Sequence, residues 1–148
     1  DSFFASLPPE VLEQIECIAM DMWAPYRASC RKWISDADAK TVLDRFHIQG
    51  HLNEAVDQVR KQEHRALHEL GIEMLGGTKW DWLYNRDNLP PEREMRFEEL
   101  RQFNLKTVRA HAIKETFRCF WGYTYPANVP RFITAIYFHC GRFDLERQ

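Results

Sequence analysis

The sequence predicts an α/β chain: a strand–helix–strand unit in the first 45 residues, then helices for the remaining two-thirds. Three observations carry this prediction. A short apolar run, "IECIAM", and a β-branched one, "KTVL", each end on an aspartate, Asp21 and Asp44. Between them residues 24–34, "APYRASCRKWI", read as a helix with Pro25 near its first turn. After Asp44 the apolar residues change from short runs to helical spacing.

Each element has a local reason. "SLPPEVLEQI" reads as a short helix: Ser6 can cap it, the prolines suit its first turn, and Glu10 sits near the positive end of its dipole. "IECIAMDM" reads as a strand because its apolar residues give no helical stripe of useful length. "AKTVLD" reads as a second strand, with Thr41 and Val42 β-branched. Strand, helix and strand over about 30 residues make a βαβ unit, which requires parallel strands and a right-handed crossover. One long helix is expected from Phe46 to about Leu70, with Leu52, Ala55, Val56, Val59, Ala66, Leu67 and Leu70 on one face. Gly76 and Gly77 break it in "GGTKWDWLYNRDN", and "LPPEREMRFEELRQFN" restarts with Pro90 and Pro91 in the first turn. "LKTVRAHAIKETFRCFWGY" gives another helix, with Leu105, Val108, Ala112, Ile113, Phe117 and Phe120 toward a partner. Pro126 and Pro130 lead into a last apolar segment, "RFITAIYFHCGRF". Two strands do not make a stable sheet. The pair is therefore expected to belong to a larger sheet, and the absence of a starting Met agrees with a piece of a longer protein.

Composition narrows the classes. The chain has 148 residues, 45% hydrophobic and 28% charged, the proportions of a soluble globular domain. No apolar stretch approaches the roughly 20 residues of a membrane helix, and the acidic N-terminus has no signal-peptide character. Cys17, Cys30, Cys119 and Cys140 form no C-x-x-C pair, so reduced thiols in a cytosol are expected. A net charge of −2 excludes a uniformly basic nucleic-acid binder. Charge is nevertheless segregated. Residues 1–23 carry Asp1, Glu10, Glu13, Glu16 and Asp21 and no Lys or Arg. Residues 101–118 carry Arg101, Lys106, Arg109, Lys114 and Arg118 against Glu115. That stretch is either a basic face for phosphate or an ordinary solvated helix face.

Chemistry could sit in several places. Asp21 and Asp44 stand at the carboxyl ends of predicted neighbouring parallel strands, where open α/β sheets bind ligands. Two close carboxylates repel, and a hard divalent cation such as Mg²⁺ relieves this. The plainer reading is that each aspartate caps the following helix. His47 and His51, at i and i+4, have metal-ligand spacing but lack the glutamate of the metalloprotease motif. His64, His68 and His111 are scattered. Glu63 falls near the centre of the long helix's apolar stripe, where a carboxylate needs a partner. It is either paired with an Arg or His of another helix or a functional acid. Trp80, Trp82, Tyr84, Trp121, Tyr123 and Tyr125 could stack on unpaired bases or pack helix against helix.

Three stretches then converge. "MDMWAPYR", "VLDRFHIQGHLNEAVDQVRKQEHRAL" and "RFEELRQFNLKTVRAHAIKETFRCFW", in this order and spacing, resemble DDE-type transposases of bacterial insertion sequences, nearest the ISL-three-like group. The resemblance covers roughly residues 3 to 135. It implies that residues 1–45 are part of an RNase-H-like catalytic core and residues 46–148 a helical insertion. It implies three catalytic acids, of which Asp21 matches the second, a ligand of Mg²⁺ (or Mn²⁺). Asp44 and His47, in "DRFH", match a segment with supporting roles. The implied chemistry is an in-line attack on a phosphodiester by a metal-activated water or DNA 3′-hydroxyl. The implied partners are transposon-end and target DNA and further copies of the full-length protein, in a bacterial cytoplasm, with no membrane. The first Asp and the final Glu of the pattern have no match, and about the last 13 residues, "IYFHCGRFDLERQ", drift from it. With one acid of three, the chain is expected to be inactive alone. Two rivals remain: a non-catalytic helical module binding DNA or protein through residues 101–118, and a His/Cys metal-binding domain.

Overall fold

The computed structural model describes residues 2–145, with side chains as far as Phe138. The fold is mostly helical with one small parallel sheet, and the chain divides into two compact units, Asp1–His51 and Leu52–Gln148.

In the first unit, two short helices, α1 (Ser2–Ala5) and α2 (Pro9–Glu13), precede strand β1 (Ile18–Met20). Ser6 does not cap α2 as its sequence suggests. Its hydroxyl donates to the Phe3 carbonyl at 2.7 Å, closing α1, and extended Pro8 leads into α2. Helix α3 (Ala24–Trp33) carries Pro25 in its first turn and stops where Ile34 turns extended. Asp36, at φ 56, opens a further short helix, α4 (Ala37–Lys40). Strand β2 (Thr41–Leu43) then pairs parallel with β1, Ile18 opposite Thr41 and Met20 opposite Leu43. Both strands are shorter than expected. β2 has only four residues available, because α4 ends at Lys40 and the next helix begins at Arg45, and the last of them, Asp44, caps that helix. Met20, Cys30, Ile34 and Ala37 form the buried core, with Phe4, Ile15, Ile18, Trp33 and Leu43 against it.

Helix α5 (Arg45–Glu69) carries the chain from the first unit into the second. It ends at Glu69, within a residue of the expected end near Leu70. Gly71, at φ 75, lets its own N–H reach the His68 carbonyl and the Ile72 N–H reach that of Leu67, both at 2.9 Å. This is a Schellman ending, which favours glycine at the left-handed position. Helix α6 (Lys79–Leu83) follows in the stretch expected to be irregular, and a 3₁₀ turn over Arg86–Asn88 comes next. Helix α7 (Pro91–Arg101) starts at the second proline, as expected. Helices α8 (Lys106–Arg118) and α9 (Val129–Leu145) complete the unit, joined through 3₁₀ turns at Cys119–Gly122 and Pro126–Asn128.

Val56, Leu75, Trp82, Phe97, Leu100 and Leu105 are the core of this unit. Helix α8 presents an unexpected face to it. The buried residues of α8 are Thr107, His111 and Lys114, at i, i+4 and i+7, whereas the apolar stripe predicted from Leu105 to Phe120 is only partly covered. His111 lies between Trp82 and Phe97, ring centroids 5.8 and 5.2 Å away. Phe117 and Phe120 pack instead on Phe132 of α9, at 6.5 and 6.0 Å.

Candidate functional site

Asp21 and Asp44 follow the last paired residues of β1 and β2 directly. The Asp44 N–H donates to the Met20 carbonyl at 2.9 Å, so the ladder runs on to this point and sets the two aspartates side by side. Adjacent strands lie about 4.8 Å apart. Both aspartates make the same local turn. Asp21 Oδ1 accepts the Trp23 N–H at 3.0 Å, and Asp44 Oδ1 accepts the Phe46 N–H at 2.8 Å. For Asp44 this is a helix cap: Phe46 lies in the first turn of α5, and the Ile48 N–H reaches the Asp44 carbonyl at 3.2 Å. Asp21 stands further from its helix, because extended Trp23 occupies the cap position of α3 and contributes no side-chain bond there. His47 lies one turn along α5, its Nε2 3.7 Å from Asp44 Oδ2. The strand-end pair is half-buried at Asp21 and exposed at Asp44.

This arrangement can bind a cation weakly or orient a polar ligand. Both carboxylates are fixed by backbone amides, and His47 adds a second group on Asp44. Among the described residues no group of three or more His, Cys, Asp or Glu is assembled to hold a metal ion. The rival reading of a His/Cys site thus has no counterpart there, and the Cys140 side chain lies outside the described residues. Mg²⁺ sites often use one or two carboxylates, with waters and substrate phosphate completing six ligands, and the Asp21–Asp44 donor set fits that pattern.

The basic stretch does not stay together. Lys114, which either reading of the stretch placed on an exposed face, is 1% exposed. Its ammonium donates to the carbonyls of Trp82, Leu83 and Tyr84 at 2.9, 3.1 and 2.9 Å, and Glu115 lies 3.7 Å away. These carbonyls are the unsatisfied end of α6, so the charge completes a helix terminus. Burial lowers the Lys114 pKa, and Glu115 opposes the shift. Arg118 is bound to Asp87 at 2.6 Å and Arg101 to Glu98 at 3.0 Å, while Arg109 donates to Asn104 at 2.6 Å. Lys106 is exposed at the start of α8.

Glu63 is paired, but not with an Arg or His. It accepts the N–H groups of Lys106 and Thr107 at 2.7 and 2.8 Å and the Thr107 hydroxyl at 2.7 Å. A carboxylate of α5 thereby caps α8 across 43 residues of sequence. The six aromatics divide. Trp82 is in the core, and Trp121 and Tyr123 join the α8–α9 ring cluster. Trp80, Tyr84 and Tyr125 are exposed. Sequence reasoning missed the ion pair between Arg93 and Asp81, 2.8 Å, which ties α6 to α7. The spacing in the chain carries no signal for it.

The chain belongs to the ISL-three-like transposases: the sequence model of that family, described as "Transposase", matches residues 1–147. The transposase for insertion sequence element IS1001 of Bordetella parapertussis is 28% identical over 129 residues, 85% of this chain. The chain spans 31% of that relative's length. No solved structure matches the chain. No helix among the described residues is long and apolar enough to cross a membrane.

Proposed function

We propose that this chain supplies part of the catalytic core and a helical insertion of a DNA transposase, with Asp21 as one of three metal-binding acids. The observation that carries the reading is the placement of Asp21 and Asp44 side by side at the ends of two parallel strands. On this reading the βαβ unit belongs to an RNase-H-like sheet, and the substrates are transposon-end and target DNA. Asp21 contributes a carboxylate oxygen to the ion, and the Trp23 N–H on its Oδ1 fixes the plane of the carboxylate. Asp44 and His47 support it: Asp44 fixes the start of α5, and His47 sits against its second oxygen. When bound, Mg²⁺ or Mn²⁺ lowers the pKa of the attacking hydroxyl or water and stabilises the leaving oxygen. The remaining acids come from outside the stretches described above, so the chain by itself does not cut DNA, and the full-length protein acts as an oligomer.

The reading has a direct test. Isothermal titration of the chain with Mn²⁺ is expected to give weak binding that Asp21→Asn abolishes and His51→Ala leaves unchanged. Binding unaffected by Asp21→Asn would remove Asp21 from the metal site. In a strand-transfer assay the isolated chain is expected to show no Mg²⁺-dependent nicking. Nicking that Asp21→Ala abolishes would overturn the inactivity of the isolated chain.

A further inference from the structure

Helix α6 is barely more than one turn long, and a helix this short does not form in water unaided. Its partners hold it. Trp82 Nε1 donates to Thr78 Oγ1 at 3.1 Å, Arg93 binds Asp81 at 2.8 Å, and Lys114 closes its last carbonyls. Asp81 and Trp82 point inward, 3% and 0% exposed. Trp80 and Tyr84 point outward, 52% and 41% exposed, with ring centroids 6.2 Å apart and planes inclined by 39°. Two cations border this stretch: Lys79 precedes Trp80 directly, and Arg96 binds the backbone at Gly76, four residues before Trp80. Lys79 Nζ lies 5.0 Å from the Trp80 ring centroid, and Arg96 donates to the Gly76 carbonyl at 2.7 Å. Both of these partners are neutral, so neither contact cancels the charge.

We infer that Trp80 and Tyr84, with Lys79 and Arg96, form a binding site for an unpaired nucleotide of DNA; this rests on the reading that the parent protein acts on DNA. Aromatic faces take a base of any sequence by stacking, and adjacent cations take its phosphate. A rigid mount makes such a platform effective, since the rings need no ordering on binding. Paired bases offer no free face, so the site favours single-stranded over double-stranded DNA.

The test uses the whole chain and a short oligothymidylate carrying one 2-aminopurine, single-stranded or annealed to its complement. The single strand is expected to bind more tightly, with quenching of the 2-aminopurine by stacking. Trp80→Ala with Tyr84→Ala is expected to weaken single-strand binding roughly ten-fold or more and to remove the quenching. Trp80→Phe with Tyr84→Phe should restore most of both, and the thermal melting of all variants should match the parent. Lys79→Ala should lower the slope of log affinity against log salt by about 0.7. Salt-dependent binding with unchanged quenching in the double alanine variant would overturn the platform and leave the DNA reading standing. Failure of the phenylalanine pair to rescue would also overturn it, since a stacking role tolerates Phe. The absence of any salt-sensitive oligonucleotide binding would remove the DNA reading and the platform together.

Discussion

Lys114 shows how a charge that reads as a surface feature can serve the backbone. Its sequence neighbourhood is basic, and charge periodicity does not reveal which face of α8 turns inward. The inward face is set by Glu63, which fixes the first turn of α8, and by the open carbonyl end of α6, which receives the ammonium. Lys114→Ala leaves these three carbonyls without their donor and is expected to destabilise the chain by about 3 kcal/mol, read from urea unfolding. Glu63→Ala is expected to cost about 1–2 kcal/mol by uncapping α8, and Glu63→Gln less, because one acceptor oxygen remains. An equal loss for both Glu63 variants would show that the charge rather than the hydrogen bonds matters. The need of Glu63 for a partner was legible in its position on the apolar stripe. The identity of the partner was not, because backbone amides of a distant helix start leave no side-chain signature.

At the scale of elements, legibility follows local chemistry. Helix α7 begins at Pro91 and α3 has Pro25 in its first turn, where a ring-fixed φ and a missing N–H suit the position. The end of α5 was legible, since the apolar stripe stops at Leu70 and the helix at Glu69, and Gly71 supplies the left-handed residue that closes it. Gly71→Ala is expected to lower stability by about 1 kcal/mol, measured by thermal melting, because an alanine there must adopt a positive φ. Gly50→Ala, in the second turn of α5 with open space around it, is expected to raise the melting temperature. Helix α6 was not legible, since its existence depends on Thr78, Arg93 and Lys114 rather than on its own propensity. The strands were legible in place and too long in extent.

For the molecule as a whole, the second unit is held by buried polar groups as much as by its apolar core, and this makes its stability depend on pH. Burial between Trp82 and Phe97, with Lys114 adding repulsion, lowers the His111 pKa to about 3. In the unfolded chain the same imidazole titrates near 6.5. Between these values the unfolded state binds the extra proton. The stability due to a neutral His111 is therefore complete above pH 6.5 and is lost as pH falls toward 3, by up to about 1.4 kcal/mol per pH unit. His111→Phe is expected to flatten the dependence of unfolding free energy on pH between 6.5 and 4. An unchanged slope would place the titration elsewhere. The acid pair of the first unit was legible because a strand, a helix and a strand, each ending on a chemical cue, fall in order along the chain. The stretch 101–118 was not, because its basic residues find carboxylates, an amide and a buried helix end in three dimensions.

The paired turns at Asp21 and Asp44 separate shape from chemistry in a heritable way. Each turn uses one side-chain oxygen as an acceptor for an amide two residues on. Asparagine supplies that oxygen equally well and carries no charge. Aspartate and asparagine codons differ by a single base. A copy of the gene that drifts to asparagine at either place is expected to keep the turn while losing the carboxylate. If Asp21 binds the metal as proposed, its loss would be visible in the sequence long before it became visible in the stability of the protein.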